Sequence, residues 1–460
     1  MHRVGYAISC AAVLLLTLVS APVFAGGPFL VDSLNNSGVA LRWQNDTLTW
    51  CADEGPLSSG VDNAAAIQMV TEAFNDWTTK VTITNGQNQA VVTTVAKAAQ
   101  DTTCKPGDID GSNHEPYTTG FDKPPTIIFD ADGSVIEDLM GDGASDGIVG
   151  LSYPGAADSS GLIMTKGGFA AFNGKMLTNG KLGSGTTAQE YFKASIHHEL
   201  GHLLNLDHSQ VNYDLAKNCT LGNCANGNYI PTMYPELLDM QQATLTRDDK
   251  ATISWIYPAS VLKDDFCTIT GEIFDKNGSP LTGVNVIASS TTSDTQAMVD
   301  ARAMVSGVLY PECSGDSRYY LYGLKPGVTY KVTYEPIGSE FANASDFEPL
   351  GSNSPKGFQG GVVETPSGDT TVKCENGGDT IEMASVAIDT ANYCAGKNSG
   401  TGTGSGQGTT QTGTSKSKCS LVAGGGAGAG ALLELLFVCV ASAVLSRSRI
   451  RTSSKIPGRK

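Results

Sequence analysis

Four of the six histidines in this 460-residue chain fall within twelve consecutive positions, His197-His198-Glu199-Leu200-Gly201-His202-Leu203-Leu204-Asn205-Leu206-Asp207-His208. This spacing constrains the local fold more tightly than any other feature. Residues four apart on a helix lie one above the other, so His198 and His202 present their rings from one face. Two imidazoles so placed can hold a single Zn²⁺ at about 2.0–2.1 Å. Glu199 follows the first of them by one residue, and its carboxylate reaches water beside the ion rather than the ion. His197 points off that face, toward packing. The helix must then stop so that His208 can swing in as a third ligand. Asn205 stands at the stop; after glycine, asparagine is the residue most tolerant of a left-handed backbone. Glycine is therefore expected to be accepted at that position. Three protein ligands with one position open is the arrangement of a catalytic zinc, whereas a structural site takes four and has no use for Glu199.

Both ends of the chain carry membrane-directed signals. Residues 1–25 hold His2 and Arg3, an apolar run from Val4 to Val19 and the small-residue site Val23-Phe24-Ala25, the layout of a cleaved secretory signal peptide. Near the other end a mostly apolar stretch of roughly 22 residues, running to Leu445, is long enough to span a bilayer. Glu434 interrupts it, and Arg447, Arg449, Arg451, Lys455, Arg459 and Lys460 follow it, a basic cluster that marks a cytoplasmic side. Cys419-Ser420-Leu421 ahead of the glycine-rich span resembles bacterial C-terminal sorting signals; a plain single-pass anchor fits the same residues. Either reading places the protein outside the cytoplasm, secreted or attached to the membrane or cell surface through residues 419–460. A net charge of −16 argues against a nucleic-acid partner. The oligomeric state is not legible. Of the eleven cysteines, eight remain once Cys10, Cys419 and Cys439 are set aside, an even number that implies disulfides in an exported chain. Pairing within folded units gives 51–104, 219–224, 267–313 and 374–394.

The first folded unit is expected over 38–258. Asp62 caps a helix whose Ile67, Val70, Phe74 and Trp77 share one face. Strands are expected at 81–84, 90–95, 126–129 and 162–172, the last an edge strand bulged at Gly167-Gly168. The histidine-bearing helix runs from about Thr187 to Leu204, and Thr246 caps a last helix that stops at Tyr257-Pro258. The second unit, 265–394, shows no helical period. Its short strands between Gly, Pro and Asn turns read as an all-β sandwich. Residues 395–418 are a Gly/Ser/Thr-rich linker.

Taken together, His198-Glu199-x-x-His202 with His208, the segment Pro231-Thr232-Met233-Tyr234-Pro235 and the capped Leu245-Thr246-Arg247-Asp248-Asp249 resemble the metzincin zinc metalloproteases, in particular their matrixin-like branch. Trp43, Leu48-Thr49-Trp50 and Ala73-Phe74-Asn75-Asp76-Trp77 are similar to the start of such a domain, so the resemblance covers about 38–258. It implies an α+β fold, a mixed sheet with a long active-site helix and a C-terminal helix. It implies one catalytic Zn²⁺ on His198, His202 and His208, with Glu199 as general base and Met233 packed in a turn beneath the site without coordinating. The position two residues after Met233 is Pro235, so no tyrosine ligand is assigned. A protein or peptide substrate would lie extended along the strand near 162–172, with the 235–244 loop lining its pocket. No propeptide cysteine precedes the domain, and only His114 is left for a second histidine-bound zinc. Asp130, Asp132, Asp138, Asp142 and Asp146 in a glycine-rich loop are hard oxygen ligands that suit Ca²⁺, the second candidate ion. The second unit is similar to prealbumin-like modules appended to secreted enzymes. Two other functions compete with peptide hydrolysis. One is a surface scaffold whose metal site is a relic, which the intact Glu199 opposes. The other is a matrix- or carbohydrate-binding sandwich, for which residues 265–394 name no ligand.

Overall fold

The computed structural model describes residues 26–32, 35, 37–119, 122–309, 316–338, 341, 370–388 and 419–423. The expected leader, the 395–418 linker and the apolar run beyond residue 423 lie outside them. The N-terminal half is α+β with mixed sheets. Its main sheet contains β1 (Thr47–Ala52), β2 (Lys97–Gln100), β3 (Thr126–Asp130), β4 (Ile148–Tyr153), β5 (Phe169–Asn173) and β6 (Glu236–Leu237). From the β2 side the order is β2, β1, β3, β5, β4, then the strand Cys419–Ala423, then β6. The first four strands are mutually parallel, and β4 runs antiparallel to β5. The central parallel strands β3 and β5 are covered on both faces by helices and loops, and all five residues of each are buried.

Three helices position the centre. In α1 (Asn63–Trp77) the Asp62 side chain accepts from Ala65 N at 2.9 Å, and Val70, Phe74 and Trp77 are buried as the 3.6 period requires. α2 (Thr186–Leu203) carries the histidines and lies against α1, β4 and β5. α3 (Arg247–Ile256) begins in a capping box of Thr246 and Asp249. Ahead of the expected start at Gly38, Phe29, Leu30 and Val31 are also packed into the core.

Two expectations about strands are corrected first. The stretch 162–172 is not one edge strand. Gly167 and Gly168 both take positive φ, 75° and 85°, and split it into Ile163–Lys166 and β5. The former joins a small separate sheet, while β5 sits inside the main sheet with partners on both sides. The antiparallel strand nearest the histidines is β4. The second correction concerns the C-terminal segment, whose start was read as lying beyond both folded units. Cys419–Ala423 is instead a strand of the main sheet.

The C-terminal half is built from two four-stranded sheets in which antiparallel pairing dominates. Cys267–Asp275 pairs antiparallel with Arg318–Leu324 and, briefly and in parallel, with Thr380–Glu382 and Val386–Ile388. Asn285–Ser290 pairs antiparallel with Arg302–Val305 and Thr329–Glu335, and the latter with Thr371–Lys373. One short helix, Asp294–Val299, interrupts a segment without helical period; the Ser293 side chain caps it by accepting from Gln296 N. The disulfides Cys51–Cys104 and Cys219–Cys224 form as expected. Cys267 pairs with Cys374 rather than Cys313, because Gly327 and Val328 bring the Thr371–Lys373 strand back beside Leu324, the partner of Cys267. That bond also excludes 374–394. Disulfides of this number belong to proteins made for oxidising surroundings outside the cytoplasm. Among the described residues, no helix is long and apolar enough to cross a membrane.

The two halves share apolar packing. Ile230, Tyr234, Leu238 and Ala251 from the first join Ile269, Val286, Leu321 and Tyr330 from the second in one buried cluster. Trp255 stacks on Tyr322 with ring centroids 5.0 Å apart. At the same junction a fully buried Arg302 meets the Asp248 carboxylate at the start of α3.

Candidate metal centre

The structure brings His198, His202 and His208 together with every ring fully buried. The Nε2 atoms of His198 and His202 are 3.0 Å apart, and each lies 3.2 Å from Nε2 of His208. A triangle of this size is close to the edge of about 3.3 Å expected when three nitrogens surround one tetrahedral ion at 2.0–2.1 Å. The ring orientations are fixed from behind. Nδ1 of His198 donates to Thr232 O at 2.7 Å, and Nδ1 of His202 donates to Leu206 O at 2.8 Å. A carbonyl oxygen can only accept, so the proton of each neutral ring sits on Nδ1 and the Nε2 lone pair faces the centre. Burial pushes the His198 pKa down to about 4. Burial, and then the neighbouring histidines, push that of His202 well below its ordinary value. Both rings are therefore neutral at pH 7, the form that binds a metal. With Nε2 of His208 completing the triangle around the two lone pairs, this donor set fits a metal ion.

The turn after α2 depends on Asn205, which takes φ = 76° as expected. Its side chain does more than the sequence discloses. Oδ1 accepts from Leu30 N at 2.6 Å, and Nδ2 donates to Leu30 O at 2.9 Å and Leu41 O at 2.7 Å. The amide thus fastens the N-terminal segment beneath the turn that delivers His208. The expectation that glycine would serve equally is revised accordingly. Asn205→Gly keeps the backbone but takes the partner from Leu30 N and Leu41 O in the core, each at a cost of about 1–3 kcal/mol if unpaired, while Leu30 O still accepts from Leu41 N. We expect Asn205→Gly to lower unfolding stability by at least about 1 kcal/mol in a denaturant titration, with its metal content unchanged. Equal stability would show that water replaces the amide.

Met233 is buried against the histidine helix, beside Gly201. A Cβ on Gly201 would stand 2.3 Å from Met233 Sδ and 2.9 Å from the Trp77 ring, so only glycine lets the turn approach the helix this closely. Asp249, at the start of α3, holds the turn in place, accepting from Thr232 N at 3.0 Å and Met233 N at 3.2 Å. Burial, followed by the charge of Asp248, raises its pKa to about 6. Asp248 in turn accepts from Ser209 Oγ at 2.5 Å, next to His208. Asp248 and Asp249 were read from the sequence only as helix-capping context.

Glu199 is fully buried beside β4. A Cβ on Gly150 would lie 2.6 Å from its Cγ and 2.8 Å from its Oε1, so the glycine opens the space the carboxylate occupies. His197 faces the other way. Its Nδ1 meets Lys193 O at 2.8 Å, its Nε2 meets Asp76 Oδ2 at 3.0 Å, and its carbonyl accepts from Trp77 Nε1 at 2.7 Å. Phe29 presses on His202 with ring centroids 5.6 Å apart, and Phe341 of the C-terminal half approaches His208 at 6.2 Å. Both aromatic contacts come from distant sequence and could not be read in advance.

The acidic loop does not converge. Asp130 accepts from Val135 N and Ile136 N, Asp132 accepts from Ser134 N, Asp138 meets His114, and Asp146 pairs with Lys175. Among the described residues the three histidines are the only group whose ligand atoms meet in this way.

No family model matches the chain. No curated protein matches it. Among solved structures, the dioxygenase domain of a dioxygenase–carbohydrate-binding protein fusion from Streptomyces sp. SirexAA-E aligns with 29% of this chain and 85% of its own, at 15% identity and a TM-score of 0.15. A likeness that slight carries no function.

Proposed function

We propose that the chain is an exported zinc-dependent endopeptidase of the metzincin, matrixin-like kind, with its catalytic unit over 38–258 and the 265–394 sandwich appended. The observation that carries this reading is the convergence of three imidazole nitrogens, two of them on rings held neutral by burial, beside a buried glutamate. A dry three-nitrogen site with a carboxylate at hand is the apparatus of water activation, and a purely structural site has no need of the carboxylate. A Zn²⁺ held by His198, His202 and His208 would supply Lewis acidity, lowering the pKa of water and polarising a carbonyl. Within this reading Glu199 takes the proton of the attacking water and passes it to the leaving amine. Thr232 O and Leu206 O keep His198 and His202 in the tautomer that binds. Met233 and Gly201 fix the floor, and Phe29 and Phe341 exclude solvent from the rings. The antiparallel strand β4, whose second edge is taken here by Cys419–Ala423, would offer backbone groups to an extended peptide that replaced that segment, which makes a protein or peptide the natural substrate. The disulfides support action outside the cytoplasm.

Metal analysis of the purified full chain tests the donor set. About one zinc per chain is expected for the parent, and His202→Ala is expected to retain less than a tenth of it, since two ligands cannot close the site. Zinc content equal in both proteins would place the ion elsewhere.

A further inference from the structure

The strand Cys419–Ala423 occupies a particular place. It runs antiparallel to β4, with Cys419 opposite Ser152, Ser420 opposite Leu151 and Leu421 opposite Gly150. On its other side it runs parallel to β6, with Val422 opposite Glu236 and Ala423 opposite Leu237. It also lies against α2, the helix of the histidines. Gly150, the partner of Leu421, is the glycine whose open face accommodates Glu199. The pairing shifts register between Leu421 and Val422, with Val422 next opposite Ile148, so the ladder is interrupted beside Glu199.

Without this strand, β4 and β6 would face each other across a gap one strand wide, about 10 Å at ordinary strand spacing. Each would carry a row of backbone donors and acceptors with no partner in the sheet. Such a slot accepts an extended peptide on both edges at once and selects mainly for extended backbone. About 30 residues separate Ile388 from Cys419, a contour of up to roughly 100 Å, so chain length does not limit the reach. A covalently tethered segment acts at an effective concentration on the order of mM.

We propose that the slot between β4 and β6 is a strand-accepting surface whose resident occupant is the chain's own Cys419–Ala423 segment, which an incoming peptide must displace. The inference rests on the peptidase reading only in taking that peptide for a substrate. With the segment in place the chain holds its cleft closed, and release or removal of the segment opens it.

The test uses the full chain carrying Ser420→Pro and Leu421→Pro together. Two successive prolines remove two backbone donors and prevent ladder formation on either edge. Both readouts are taken on metal-stripped protein, so no hydrolysis intervenes. The first is amide hydrogen exchange. Exchange at residues 148–153 and 236–237 is expected to rise at least about tenfold in the variant, while β3, which the segment does not touch, stays as protected as in the parent. The second is fluorescence anisotropy with a labelled decapeptide of residues 416–425. It is expected to bind the variant at least about tenfold more tightly than the parent. Unchanged exchange at 148–153 together with equal affinity overturns the proposal. Loss of protection in β3 as well would report general unfolding; the anisotropy then decides, because an unfolded chain binds no peptide and an opened slot does. Displacement and tight binding with no hydrolysis after zinc is restored would refute the peptidase reading and leave the slot standing. Hydrolysis that is equally fast in parent and variant would do the reverse.

Discussion

Glu199→Gln is expected to bind metal as the parent does and to lose about 10²–10⁴-fold in peptide turnover, the range attributable to one well-placed general base. The substitution preserves shape and volume, so the fit against Gly150 persists and the fold should survive. It removes only basicity. The amide cannot accept the proton of water, and the three imidazoles that could hold an ion are untouched. Turnover and metal content must be measured on the same preparation. A variant with full metal and full turnover would show that the carboxylate does no proton transfer. A variant that loses metal together with turnover would make Glu199 part of the binding set.

The largest effect on stability is expected at the junction between the halves. Arg302 is completely buried and donates to the Asp248 carboxylate, to Asp248 O at 2.7 Å and to Tyr322 O at 3.1 Å. Asp248 also accepts from Ala303 N at 2.9 Å and, through Ser209, reaches the residue beside His208. Arg302→Met leaves a carboxylate uncompensated in a dry interior, which costs about 3–5 kcal/mol where such pairs have been broken. Adding Asp248→Asn should recover part of that loss, because removing both charges is far cheaper than removing one. Denaturant unfolding of the three proteins checks this. A single variant within about 1 kcal/mol of the parent would show that water reaches the pair. A double variant no better than the single one would assign the cost to lost packing.

How far the sequence disclosed this molecule depended on whether the information was local. His198 and His202 were legible because a helix repeats every 3.6 residues, and the left-handed turn at Asn205 because few residues accept it. Asp62 and Thr246 were legible as caps because capping acts within a single turn. What escaped was set by chain segments that meet only in three dimensions. The Asn205 amide bonds to Leu30 and Leu41, about 170 residues away in sequence, so its second role has no local signature. Gly167 and Gly168 were read as a bulge, whereas two consecutive positive φ values end one strand and begin another in a different sheet. The Cys267–Cys374 bond spans 107 residues, and a preference for near neighbours could not find it. Phe341 approaches His208, and Arg302 meets Asp248, from the other half of the chain, where no motif marks them.

Hydrolysis at the histidine site is tested most directly by cleavage-site profiling. The purified full chain, and the same chain with Ser420→Pro and Leu421→Pro, are incubated with a mixture of denatured proteins, and new termini are read by mass spectrometry. Cuts at internal peptide bonds are expected, lost when a chelator removes the metal and regained when Zn²⁺ is returned. New termini that persist in the metal-free protein, or none from either chain at full zinc occupancy, would contradict that expectation.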